Sequence, residues 1–171
     1  MVTRDEALET LDRGHREIDR ELARLASDEL LATGIGGGDW SAKDLVAHLA
    51  LWHEIALRTI EESRSGSTPW IVQVFASPGP GPNDEELVRR APWPVDRATQ
   101  AYREARSATI SALIGLRAEE WSAPVSGWTE DPADLGGLLG VVLGTSGLPF
   151  GHAFAHLDEL RAFVNERRSA D

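Results

Sequence analysis

His152 and His156 stand four residues apart in the segment GHAFAHLDEL. On a helix that spacing puts both imidazoles on one face, about one turn apart, which is how one helix offers two nitrogens to one metal ion. The apolar stripe of the same helix continues through Leu160 and Phe163, so the pair is expected to point inward. His48 lies on the inward stripe of another helix, with Leu45 and Trp52. A third imidazole from a facing helix would complete three protein ligands and leave one position open for water or substrate, as catalytic metal sites require. The bland alternatives are a hydrogen-bonded core histidine and a coincidental pair, and spacing alone leaves both standing.

The other two histidines fit this site less well. His53 is five residues after His48, roughly 140° further round a helix at about 100° per residue; it cannot reach the same ion without distortion and reads as a flank or surface residue. His15 sits on the seam of the first helix and reads as core packing or a pocket wall. Asp44, one turn before His48, either accepts the second ring N–H of His48 or caps the start of its helix. Asp158 and Glu159 follow His156 and read as bases or as a solvated helix face. Trp40 and Trp52 flank His48, and Trp70, Trp93, Trp121 and Trp128 lie in or beside connections, where aromatics either roof a pocket or cap a core.

These side chains need helices to hold them, and four helical blocks are visible. The first starts near Thr3, where Thr3 and Glu6 form a capping box, and carries the seam Leu8, Leu11, His15, Ile18, Leu22, Leu25. TGIGGGD at 33–39 breaks the chain. Ser41 and Asp44 then open a second helix, with Trp40 in the position of a hydrophobic staple and Gly66 as its stop. Residues 66–94 hold six of the nine prolines and form a long connection, with one short helical candidate, Asp84–Arg90, capped by Asn83. No strand is expected, Trp70–Phe75 being too short to found a sheet. A third helix spans about Val95–Arg117, with alanines at 98, 101, 105, 108 and 112 on one face. A fourth block begins near Ala133 and breaks around Gly147-Leu148-Pro149 before running on to about Arg167. The connection lengths predict an all-α, up-down-down-up four-helix bundle, one domain over residues 1–171, with a long crossover between helices 2 and 3. The crossover is expected to fold over the bundle end beside His48.

Composition narrows the function classes. The chain has 171 residues, and 17 Lys and Arg against 28 Asp and Glu give a net charge of −11. That balance disfavours nucleic acid as the partner, because phosphate contacts are made by Lys and Arg. The absence of cysteine removes disulfides, thiolate-bound zinc, iron–sulfur clusters and a thiol nucleophile. The uncharged run Leu135–Gly151 is too short to span a membrane and contains proline. Its Gly136, Gly140 and Gly144 suit close helix contact, including contact with a second copy of the chain in a homodimer. The start, MVTRDEALETLDRGH, has no apolar core of the signal-peptide type, so a cytoplasmic location is expected.

DWSAKDLVAHLALWHE, residues 39–54, resembles the second-helix signature of the DinB/YfiT-like superfamily, a Trp-Ser or Trp-Thr opening followed by a histidine eight residues after the Trp, here Trp40 and His48. GHAFAHLDELRAF resembles that family's fourth-helix H-x-x-x-H, matched by His152 and His156. With NDEE at 83–86, the flavour is closest to the ClbS/DfsB-like and maleylpyruvate-isomerase N-terminal branches. The resemblance implies a DinB-like bundle holding a divalent metal, zinc or nickel, on His48, His152 and His156. It implies small-molecule chemistry, with a low-molecular-weight thiol such as mycothiol as co-substrate in some relatives. ClbS-like relatives protect against reactive natural products, which keeps a non-enzymatic binder open as a second reading. The chain departs from the pattern in carrying Ala-Phe-Ala between His152 and His156, where an aromatic beside the first histidine and a carboxylate before the second are expected.

Overall fold

The computed structural model describes residues 2–77 and 81–169. Four long helices carry the architecture: α1 (Arg4–Leu22), α2 (Ala42–Arg64), α5 (Val95–Ile114) and α8 (His152–Ser169). Four shorter ones lie between them: α3 (Trp70–Ala76), α4 (Pro82–Arg90), α6 (Ala118–Trp121) and α7 (Leu135–Val142). Both expected capping boxes are present with reciprocal bonds, Thr3 with Glu6 on α1 and Ser41 with Asp44 on α2. α2 stops at Arg64, and Gly66 follows at φ +77°, the left-handed conformation that glycine adopts without a Cβ clash.

Side-chain pairs fix the helix directions. Glu17 pairs with Arg161 at 2.7 Å and Arg24 with Asn165 at 2.9 Å, so α1 and α8 run parallel. Lys43 and Val46 share a cavity with Val95 and Thr99, and Thr109 Oγ1 donates to the His53 carbonyl at 3.3 Å, so α2 and α5 also run parallel. Arg4 bonds to the Leu116 carbonyl while Asp19 meets Arg106 at 2.6 Å, so α1 opposes α5. The up-down-down-up order is as expected. The first two helices are less intimate than their short connection implies. α1 packs most closely on α8, α2 on α5, and α1 meets α2 across the core through His15 and His53.

The connections depart from expectation. TGIGGGD is a small antiparallel hairpin, β1 (Thr33–Ile35) with β2 (Trp40–Ser41), turned by Gly36 and Gly37 at φ +66° and +72°. The crossover holds two helices. Trp70–Phe75 is helical, begun after Pro69, and α4 starts at Pro82, whose missing N–H costs nothing at a first helical position. Asn83 therefore lies inside α4 and is not its cap. Arg90 ties α4 down, reaching Glu54 of α2 at 2.6 Å and the Ala47 carbonyl at 3.2 Å. The third helix ends at Ile114, three residues early, and of its alanine face Ala98 and Ala105 are buried while Ala108 is exposed.

The fourth block does break, between α7 and α8, with Phe150 at φ +61°. Its glycines are used within the chain. A Cβ on Gly136 would lie 2.5 Å from the Trp121 indole, and one on Gly140 would lie 3.1 Å from Pro149 and 3.3 Å from Phe150. Trp121 and Phe150 stack at 5.8 Å beneath them. Among the described residues no helix is long and apolar enough to cross a membrane. Two apolar clusters build the core. One gathers Leu11, Leu51, Ile55, Leu113, Leu138 and Phe150; the other gathers Ile18, Leu45, Leu49, Tyr102, Leu157 and Leu160. His15 occupies the seam between them, lying between Leu11 of one cluster and Ile18 of the other on α1.

Candidate metal centre

α2 presents His48 about two turns inside its capped start, seven residues after Ser41. Asp44 is committed to that cap: its carboxylate accepts from the Ser41 amide at 3.0 Å and the Ser41 hydroxyl at 2.6 Å, and Lys43 Nζ approaches at 3.0 Å. The capping role wins over the second-layer role, and His48 Nδ1 is buried with no hydrogen-bond partner. His152 opens α8, where its amide donates to the Leu143 carbonyl at 3.0 Å and fixes the helix start. His156 follows one turn later. Its Nδ1 is 3.9 Å from Glu159, just beyond hydrogen-bond length, while Asp158 is solvated.

The structure brings these three imidazoles together. His48 Nε2 is 3.0 Å from His152 Nε2, and His152 Nε2 is 3.3 Å from His156 Nε2. One atom from each of the three lies within 4.8 Å of the others. Metal–nitrogen bonds of about 2.0–2.1 Å at a tetrahedral angle place ligand nitrogens about 3.3–3.4 Å apart, and the two contacts of His152 Nε2 are close to that spacing. Its protons argue the same way. One proton can bridge only one of the two contacts of His152 Nε2, so mutual hydrogen bonds leave a nitrogen unsatisfied, whereas a cation engages all three lone pairs. Burial, reinforced by the neighbouring rings, pushes His48 down to about 2 and His152 to about 3, and burial lowers His156 as well. All three are neutral at pH 7, the form that ligates.

A cavity of about 310 Å³ opens over the cluster, walled by Trp40, Trp52, Phe75, Val141, Val142 and Asn83 beside the three histidines. Trp40 stands 5.0 Å from His48 and 6.0 Å from His156, ring to ring. The crossover therefore does lie beside the site, through Phe75 of α3 and Asn83 of α4. Asn83 accepts from the Trp52 indole N–H at 3.0 Å. Read as a cap, it was missed as a wall residue; Pro82 before it was the available signal, since proline favours a first helical position.

His53 and His15 are elsewhere, and His53 is buried, not on a flank or at the surface, because α2 turns it onto α1 and α5 inside the bundle. They form a separate buried pair, Nε2 to Nε2 at 3.0 Å, with the Tyr102 hydroxyl 2.6 Å from His15 Nδ1. Sequence separation hid this pairing, and nothing in the spacing pointed to Tyr102.

The sequence model of the DinB superfamily matches residues 10–145. The chain belongs to the DinB superfamily. The matched stretch includes His48 and ends before His152 and His156, so in this DinB-superfamily chain the last two are tied to the site by geometry. No curated protein and no solved structure matches the chain significantly.

Proposed function

We propose that this DinB-superfamily protein binds a divalent metal ion, zinc or nickel, on His48, His152 and His156 and uses it on a small organic substrate. The observation that carries the reading is the convergence of three neutral Nε2 atoms beneath an open cavity. When bound, such an ion acts as a Lewis acid and lowers the pKa of a water or thiol placed beside it. The chain's part is to hold three imidazoles in the ligating form, to exclude bulk water with Trp40, Trp52 and Phe75, and to leave one side open. A thiol-dependent transfer or isomerisation and a metal-assisted hydrolysis both suit this arrangement, and detoxification of a reactive compound is the role we favour.

The second reading is a binder that sequesters its ligand without turning it over. It is favoured by the cavity wall, which has no carboxylate among its described residues to serve as a general base. Metal analysis of protein purified without chelators tests the first step, with about one ion per chain expected and none overturning it. Incubating the loaded protein with a small aromatic electrophile and a low-molecular-weight thiol separates the two readings. Many turnovers per chain mark an enzyme; one bound equivalent without product marks a binder.

A further inference from the structure

Resting on the metal-site reading, we infer that Asn83 is a positioning residue for the ligand, and that the cavity takes a flat, mostly apolar molecule presenting one hydrogen-bond acceptor oxygen. An indole N–H can only donate, so the 3.0 Å contact from Trp52 Nε1 fixes the carboxamide orientation: its oxygen faces Trp52. The amide also reaches His48, through a hydrogen bond that opposes the effect of burial on that ring, and the Nδ2 hydrogens not used there are what Asn83 offers to whatever fills the cavity. Packing of Trp52 beside His48 and His152, at 6.4 and 5.6 Å ring to ring, anchors that orientation to the metal cluster.

The rest of the wall defines the ligand by exclusion. Apart from the histidines, Asn83, the Trp52 indole N–H already spent on it and the Trp40 indole N–H, the described lining is apolar: the Trp40 ring, Phe75, Val141, Val142 and Gly144. Phe75 and Val141 are 41% and 48% exposed, so the mouth as well as the floor is apolar. Aromatic rings at this density favour a flat apolar body. No lysine or arginine is among the described lining residues, so nothing there would balance a phosphate or a larger polyanion. An acceptor oxygen reaching the Asn83 donors, with the Trp40 N–H as the one other donor outside the histidines and Trp52 in the described lining, is what the wall can satisfy.

Acetophenone, flat, neutral and carrying one carbonyl oxygen, is a suitable probe, with inorganic phosphate as the counter-probe. Tryptophan fluorescence reads binding with or without metal, and the visible spectrum of cobalt-loaded protein reads it beside the ion. Acetophenone should bind in preference to phosphate. Asn83→Leu should weaken acetophenone about tenfold, the size of one ordinary hydrogen bond, with cobalt affinity unchanged. Asn83→Asp keeps an acceptor for the Trp52 N–H while replacing the donors by a negative oxygen, so it should hold the fold and lose acetophenone further. Trp52→Phe frees the amide to rotate and should give a smaller loss. Unchanged acetophenone affinity in both Asn83 variants, or a preference for phosphate, overturns the inference. Failure of the wild-type chain to take up cobalt overturns the metal reading instead, and the fluorescence titration still decides the role of Asn83.

Discussion

His53 Nε2 lies 3.0 Å from His15 Nε2, on the seam between the two apolar clusters of the bundle. Only one of the facing nitrogens can carry a proton. If the Tyr102 hydroxyl donates to His15 Nδ1, His15 donates to His53, and His53 Nδ1 becomes a buried donor; with the chain reversed it becomes a buried acceptor. In both cases His53 Nδ1 has no partner in the protein. It shares a small void, about 10 Å³, with His15, Trp52 and His152, room at the limit for one water.

The pair makes stability depend on acid. Burial holds His15 at about 2 and His53 at about 3, against about 6.5 in the unfolded chain. Between pH 6.5 and about 3 the unfolded state takes up protons that the folded state refuses, so stability falls as pH falls through that window and is fully present above it. Each buried imidazole adds a slope of at most about 1.4 kcal/mol per pH unit. Denaturant melts of chelator-treated protein from pH 7 to 4 should show a steeper loss in the wild type than in His15→Leu. Equal slopes would show that the pair is open to water.

The two groups of histidines should separate by metal content. Ala at His48, His152 or His156 removes one of three nitrogens and should abolish stoichiometric metal. His53→Ala and His15→Leu should keep it, because neither ring reaches the three-nitrogen cluster. In the wild type metal should also raise Tm, since a ligand held only by the folded state stabilises it. Metal analysis beside thermal melts checks all five variants, and full retention in His156→Ala would dissolve the assignment.

How much of this could be read from the chain depends on range. The i, i+4 pair His152 and His156 and the inward stripe through His48 are local patterns, and the four long helices that carry them were equally readable. The hairpin at 33–41 and helices α3 and α6 were not, because elements of two to seven residues carry too little periodicity to outweigh neighbouring Gly and Pro. The His15–His53 pair joins positions 38 apart on different helices, and no spacing rule connects them. Local sequence makes Asn83 a cap, whereas its partner is the Trp52 indole, 31 residues away.

Gly136 tests how tightly α7 is fitted. In an open helix, Gly→Ala stabilises by roughly 0.5–1 kcal/mol. Here the added methyl would stand 2.5 Å from the rigid Trp121 indole, itself stacked on Phe150. Overpacking costs about 1–3 kcal/mol and should outweigh the propensity gain. Gly136→Ala should therefore lower Tm, and Trp121→Leu in the same chain should recover part of the loss by making room. A rise in Tm for Gly136→Ala alone would show that the indole moves freely.

Arg90 holds the crossover to the bundle. Its side chain is 5% exposed and bridges Glu54 and the Ala47 carbonyl on α2, with the guanidinium 4.9 Å from the Trp93 ring. Arg90→Leu keeps some of the packing but removes the charged bonds. Glu54 is 43% exposed and can return to water, so the cost should fall to about 1–3 kcal/mol, below that of stranding a fully buried charge. The loss should be local. Amide hydrogen exchange across residues 85–90 should speed up by at least tenfold while α1 and α8 stay protected, because α4 touches the bundle chiefly through α2. Unchanged exchange in α4 would assign its attachment to the Trp52–Asn83 bond and apolar packing alone.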